Sequence, residues 1–437
     1  MINVQKLRWK KEKSRVIFNK YEVDQMEVLK IATAGSVDDG KSTLIGRILY
    51  DTKSLTEDKL EAIQQSSFRK GLDYLDFSLA TDGLVAEREQ GITIDVAHIY
   101  FSTENRSYII ADTPGHIEYT RNMVTGASTS QASIILVDAR NGVIEQTARH
   151  FYINNLLRIK NIIVAVNKMD LVDFSEEKFN QIKADILKLQ HTGAYQNQQI
   201  TFIPISALHG DNVVQTSDRI PWYQGETLMD TLEHMQSEDI YEKATARFPV
   251  QTVIRPKTEE YHDYRGYAGK LYGAHLSVGD EVQVLPSGTK SKIKEIHFFD
   301  DAYQKAKAGS SITITLTDDI NVSRGDMIVK DGELPRMSKE LKATVCWMDK
   351  SALKVGGKYH LQHGIHMVLA KIGGVQLLDG ANFADHDLDD QTLTLNQIGE
   401  VQLKLNQPIY FDSFSDNKEN RSEEQRLNSS HVAISYA

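Results

Sequence analysis

Residues 35–42 read GSVDDGKS, two glycines framing a turn that ends in Lys41 and Ser42. The pattern is G-x-x-x-x-G-K-[ST], in which the backbone N–H groups of a glycine-rich loop converge on phosphate oxygens. The loop follows the apolar run LKIATA (29–34) and opens the amphipathic run STLIGRILY (42–50), so a strand leads in and a helix leads out. The positive end of such a helix adds to the attraction for an anion. Gly35, Ser36, Val37, Asp38, Asp39, Gly40, Lys41, Ser42 and Thr43 are therefore expected to line a chain of phosphates. Lys41 would reach the outer two, and Ser42 would offer its hydroxyl to Mg²⁺. Two carboxylates inside an anion-binding loop are the anomaly, because they repel phosphate unless they turn outward or meet a cation. Asp38 is expected to help hold a monovalent cation, K⁺, beside the phosphates. Two solvated turn aspartates are the alternative.

A second group does a different job for the same ligand. DTPGH (112–116) follows the strand-like run YIIAD. Asp112 can hold a Mg²⁺-bound water, and Thr113 and Pro114 are expected beside it in the nucleotide-binding set. The Gly115 N–H can meet a γ-phosphate, and His116 can position an attacking water. Thr93, in GITID (91–95), can complete the metal shell. Lys41, Thr93, Gly115 and His116 are the expected catalytic set, and Ser42, Thr93 and, through water, Asp112 the expected metal ligands.

A third group selects the base. NKMD, comprising Asn167, Lys168, Met169 and Asp170, ends the apolar run NIIVAVN. An ionised carboxylate only accepts hydrogen bonds. Asp170 therefore suits the N1–H and amino donors of guanine and opposes the acceptor N1 of adenine. Asn167 is expected to bridge base and loop, and Lys168 to lie along the base. In Ser206, Ala207 and Leu208, the Ala207 N–H is expected to face the guanine O6. Each motif is weak alone, but all of them in this order, each at a strand end, define a site for GTP.

The elements that must position these groups follow from periodicity. Between 27 and 207, apolar runs at 29–34, 96–101, 108–112, 133–139, 161–167 and 201–206 alternate with helical patterns at 42–50, 145–158 and 176–189. That is the signature of an α/β domain with a mainly parallel sheet. After Arg247 the pattern becomes two-residue alternation broken by VGDE and PSGT, as in small antiparallel barrels. The expected organisation is an N-terminal arm (1–26), a P-loop GTPase domain with its linker (27–240), and β-barrels at 241–336 and 337–413, then a tail (414–437).

A chain of 437 residues with 41% hydrophobic and 25% charged residues has the balance of a globular protein. Its net charge of −10 argues against binding nucleic acid mainly by neutralising phosphates. One cysteine, Cys346, excludes an internal disulfide, and no signal peptide or membrane span is evident, so the cytoplasm is the expected location. The scattered histidines, His98 and His150 among them, read as surface or core residues rather than metal ligands.

Over about 27–413 the motifs resemble those of the translational GTPases, a family with a GTP-binding domain followed by two β-barrels. Within it, GSVDDGKSTLIGRILYDTKSL, DGLVAEREQGITIDVAHIYFST, ADTPGHIEYTRNMVTGAS, IPWYQGETL, YRGYAGKL and VQVLPSG are similar to the large, GTP-binding subunits of bacterial sulfate adenylyltransferases. DDGKS separates the chain from elongation factors of the Tu type, which typically carry DHGKT. The resemblance implies a heterodimer in which a separate small subunit binds ATP and sulfate and makes adenosine 5′-phosphosulfate and pyrophosphate, while this chain hydrolyses GTP. The regions at 52–95 and 112–125 are then the expected moving parts. A translation factor acting on the ribosome and a GTP-gated binding module share the nucleotide motifs and stay open as alternatives. The chain departs from the family at its basic opening and at RSEEQRLNSSHVAISYA, where a strand closing the last barrel is usual. A truncated third domain with an unpaired edge and a foreign tail is the expectation.

Overall fold

The structure is a computed structural model. It describes residues 28–69, 71, 74–80, 96–115, 120–192, 197–235, 245–256, 264–298, 301–363, 366–378, 392–413 and 432–436. Two compact units divide the chain, the first ending at Ser237 and the second beginning at Glu238. Thr93 and His116 lie outside the described residues, as does the N-terminal arm.

In the first unit, β1 (Val28–Ala34) leads through the glycine-framed loop into α1 (Lys41–Asp51), and α2 (Glu57–Arg69) follows. Next come β2 (Ala97–Ser102), β3 (Ser107–Asp112), α3 (Thr120–Ser128) and β4 (Ala132–Asp138). Then α4 (Glu145–Leu156), β5 (Asn161–Asn167), α5 (Glu176–Thr192), β6 (Gln199–Pro204) and α6 (Leu228–His234) complete it. The sheet order is β2-β3-β1-β4-β5-β6, parallel except for the β2–β3 pair. Every residue of β4 is buried, as a strand covered on both faces requires, whereas edge strand β2 alternates. Leu29, Ile31, Leu44, Ile134, Ile163 and Ile203 are among the side chains that form the core between sheet and helices. Because β1 lies between β3 and β4, the chain reverses its direction of progress there, and the crevice outside the strand ends is where such sheets take ligands.

The expected strands and helices match these elements to within two or three residues. Helix α2 falls in the region expected to move, where Leu60, Ala62, Ile63 and Phe68 gave too thin an apolar stripe to announce it.

Among the described residues, the second unit carries two main antiparallel sheets, of eight and five strands, with separate cores and a two-stranded ribbon beside each. Phe248, Tyr267, Val282, Ile293, Ile314 and Ile328 belong to one core, and Val345, Trp347, Leu361, Ile372, Val401 and Leu403 to the other. Alternation decides these strands: the run Thr289–Phe298 has Ser291, Ile293 and Ile296 buried among exposed neighbours. The expectation of an unpaired edge is corrected. Val432–Tyr436 pairs antiparallel with Arg336–Trp347, from Trp347↔Val432 to Ala343↔Tyr436, and so covers the strand edge on that side. An open row of backbone donors and acceptors recruits any β-prone segment within reach, and VAISY is one.

Candidate functional site

Helix α1 starts at Lys41 behind Gly40, which adopts φ 93°. A Cβ there would lie 2.5 Å from Asn167 Nδ2, so this turn needs glycine for both its backbone angle and its space. The helix has no capping side chain and no acidic residue in its first turn, which leaves its leading N–H groups to an anion. Lys41 is buried and donates from Nζ to Gly35 O at 2.8 Å and Ser36 O at 2.9 Å, which holds the ammonium over the loop. Burial pushes its pKa down, while Asp112, Asp39 and Asp38 pull the other way.

The two aspartates of the loop divide. Asp39 is buried and its carboxylate accepts the Ser36 N–H at 2.5 Å, so it caps the loop from within. Burial raises its pKa against that hydrogen bond and the Lys41 charge. Asp38, at φ 68°, is exposed, and its carbonyl accepts from Lys168 Nζ. One aspartate turns into its own loop and the other into solvent, which relieves the repulsion that the sequence raised.

Asp112 at the end of β3 is buried and accepts from Thr33 Oγ1 at 3.1 Å, which orients the carboxylate. Thr113 Oγ1 donates to Thr33 O, tying the same turn to β1. Gly115 lies directly against the phosphate loop: a Cβ there would meet Lys41 Nζ and come within 2.5 Å of Gly35 O. Any other residue would force the two loops apart.

On the base side, Asn167 Nδ2 donates to Asp39 O at 2.8 Å, and Asn167 Oδ1 accepts the Ala207 N–H at 2.9 Å. One side chain thus binds three loops. The Ala207 N–H therefore serves the asparagine in this geometry, where a guanine oxygen was the expected partner; a buried amide oxygen must find a donor. Ser206 Oγ donates to Asp170 Oδ1 at 2.6 Å and fixes the carboxylate. Met169 is fully buried in the core beneath this loop. Leu208 contributes its carbonyl to Arg47 NH1 at 3.4 Å.

Sequence reasoning missed several supports. Asp138, at the end of β4, takes both Arg140 Nε at 3.0 Å and NH2 at 2.7 Å, and lies 3.0 Å from Lys168 Nζ. Burial would raise its pKa, but the hydrogen bonds from Arg140 and Lys168 hold it down at about 2. Its ionised carboxylate anchors Lys168, which sits at φ 61°. An aspartate ending a strand that is apolar apart from Ser133 was the available signal. Gln146 and His150 on α4 are a second such support, since Gln146 Nε2 donates to Gly115 O at 3.2 Å.

The model of the elongation factor Tu GTP binding domain matches residues 26–238, and that of the GTP-eEF1A C-terminal domain-like family matches 340–420. A bifunctional enzyme CysN/CysC of Mycobacterium tuberculosis (strain CDC 1551 / Oshkosh) is 47% identical over 391 residues, covering 89% of this chain and 63% of its own. The chain thus spans less than two thirds of that relative's length. Sulfate adenylyltransferase subunit 1 of Colwellia psychrerythraea (strain 34H / ATCC BAA-681) is 46% identical over 397 residues, 90% of this chain and 84% of its own. The subunit 1 of Bacteroides fragilis (strain YCH46) is 46% identical over 399 residues, covering 90% and 82%. No helix among the described residues is long and apolar enough to cross a membrane. Shared identity at this level over nine tenths of the sequence, together with phosphate and base loops at the strand ends, makes the chain a member of the sulfate adenylyltransferase subunit 1 family, with a GTP binding domain of the elongation factor Tu type.

Proposed function

We propose that this chain hydrolyses GTP as one subunit of a sulfate-activating heterodimer, whose separate small subunit joins ATP and sulfate to give adenosine 5′-phosphosulfate and pyrophosphate. The observation that carries the GTP reading is the joining of the phosphate loop to the base loops by Asn167, through Asp39 O and the Ala207 N–H. Such a tie puts phosphate-binding and base-reading groups in one rigid frame, as recognition of a whole nucleotide requires.

In the reaction a water oxygen attacks the γ-phosphorus while the bond to the β–γ bridging oxygen breaks, leaving GDP and phosphate. Lys41 and the N–H groups opening α1 stabilise the charge on the outer phosphates. Gly115 offers its N–H to the γ-phosphate, and His116 orients the water. Ser42 and Thr93 would hold Mg²⁺ directly and Asp112 through water, and the ion would supply neutralising charge for the phosphates. Asp170, held by Ser206, selects guanine. Asp38 would share a K⁺ beside the phosphates through its exposed carboxylate. Hydrolysis can drive the partner's reaction only if losing the γ-phosphate relaxes a conformation that the partner senses, and the segments at 52–95 and 112–125 are assigned that role.

The test is co-purification with the candidate small subunit, followed by pyrophosphate release from ATP and sulfate with and without GTP. GTP-dependent release, with GTP turnover stimulated by the small subunit and its substrates, supports the reading. Stimulation by ribosomes instead would transfer the chain to translation, and absence of multiple turnover would make it a nucleotide-gated binding module.

A further inference from the structure

His150 occupies a particular place on α4. It is 2% exposed, its Nε2 lies 3.0 Å from Gln146 Nε2, and its Nδ1 has no hydrogen-bond partner among the described residues. The same Gln146 nitrogen reaches Gly115 O at 3.2 Å. An amide nitrogen carries two hydrogens and can serve both acceptors. Donation to His150 Nε2 requires that nitrogen to be bare, which puts the imidazole proton on Nδ1. Burial, with Lys41 and Arg149 nearby, pushes the pKa of His150 down to about 3 and keeps the ring neutral, as an acceptor must be.

From its other side, Gly115 is pressed by Lys41 Nζ and Gly35 O. Glycine has no side chain to restrict its ψ. A hydrogen bond to its carbonyl supplies that restriction, and Gln146 is the side chain that provides it.

We propose that Gln146, oriented by His150, is a positioning residue that fixes Gly115 against the phosphate loop and so sets how much more tightly the protein holds GTP than GDP. The inference rests on the reading of Gly115 as the backbone donor to the γ-phosphate. Only the triphosphate has the oxygen concerned, so a displaced Gly115 weakens GTP binding and hydrolysis and leaves GDP binding as it was.

The experiment measures the affinity of the full chain for GDP and for the non-hydrolysable guanosine 5′-(β,γ-imido)triphosphate, in the wild type, Gln146→Leu, His150→Phe and the double variant. In Gln146→Leu, affinity for the triphosphate analogue should fall roughly 5- to 150-fold, the range for one buried hydrogen bond with a partner left unsatisfied, with GDP affinity unchanged. His150→Phe should lose less, in the same direction. The double variant should be no worse than Gln146→Leu, because the histidine acts through the glutamine. Equal losses for both nucleotides, strictly additive losses, or no loss would overturn the proposal. Should the leucine variant not fold, Gln146→Glu keeps the shape without the N–H donor and should show the same selective loss. A wild type that takes up neither nucleotide would instead sink the assignment of the site itself.

Discussion

The two units use their buried polar groups for opposite ends. In the first, Lys41, Asp39, Asp112 and Asn167 are all buried, and each is held by a loop that leaves the end of a parallel strand. In the second, Arg247 is buried and spends its guanidinium on structure: Nε and NH2 reach Asp412 at 2.9 and 2.8 Å, and NH1 reaches Glu333 O at 2.8 Å. This fork joins the start of one barrel, Arg247–Pro249, to the end of the last long strand of the other, Ile398–Phe411, just before Asp412. Burial of charge by itself therefore does not mark a reactive site. What distinguishes the first unit is that its charges surround the start of α1, whose leading N–H groups receive no side-chain cap, whereas Arg247 in the second is matched donor to acceptor.

Lys41→Ala tests the first half of that contrast and has the largest expected effect. Removing the ammonium held by Gly35 O and Ser36 O should lower GTP affinity on the order of a thousandfold, as loss of a partner from a buried charge pair does, measured by calorimetry on the full chain. Retained affinity would mean that the loop does not hold phosphates.

Arg247→Met tests the second half. It removes the guanidinium from Asp412 and Glu333 O, and should destabilise the second unit by about 3 kcal/mol, read from its denaturant midpoint, without changing GTP affinity. A change in affinity of comparable size would show that the barrels' ion pair serves the nucleotide site after all.

The effect that is smallest per step is spread over pH. His150 has a folded pKa of about 3 against an ordinary 6.5. The unfolded chain therefore binds a proton that the folded one refuses. The stability that the neutral ring allows is complete above pH 6.5 and is lost as pH falls toward 3. His150→Phe removes this dependence and should flatten the acid limb of the stability profile by at most about 1.4 kcal/mol per pH unit. Denaturant midpoints at a series of pH values in that window decide it, and an unchanged limb would mean that the ring is already protonated in the folded protein.

Much of the site was legible because its groups are local. The phosphate loop, DTPGH and NKMD are contiguous runs whose chemistry follows from backbone N–H groups, one lysine and one carboxylate in fixed order. The strands of the first unit were legible because a sheet covered on both faces needs near-continuous apolar runs. Helix α2 was missed because a helix only partly packed shows little periodicity. The pairing of Val432–Tyr436 with Arg336–Trp347 was missed because about 90 residues separate the partners, and pairing across such a gap leaves no local pattern.

The sequence by itself determined that a phosphate loop, a guanine-reading carboxylate and an α/β-then-β order are present, since each depends on residue type and short-range spacing. Only the tertiary structure decided that Asp39 turns inward while Asp38 faces solvent, that Asn167 ties three loops together, and that Gln146 and His150 stand behind Gly115. Those contacts join residues up to 128 positions apart. Their geometry is set by how the strands stack and twist, which no short window of residue types can specify.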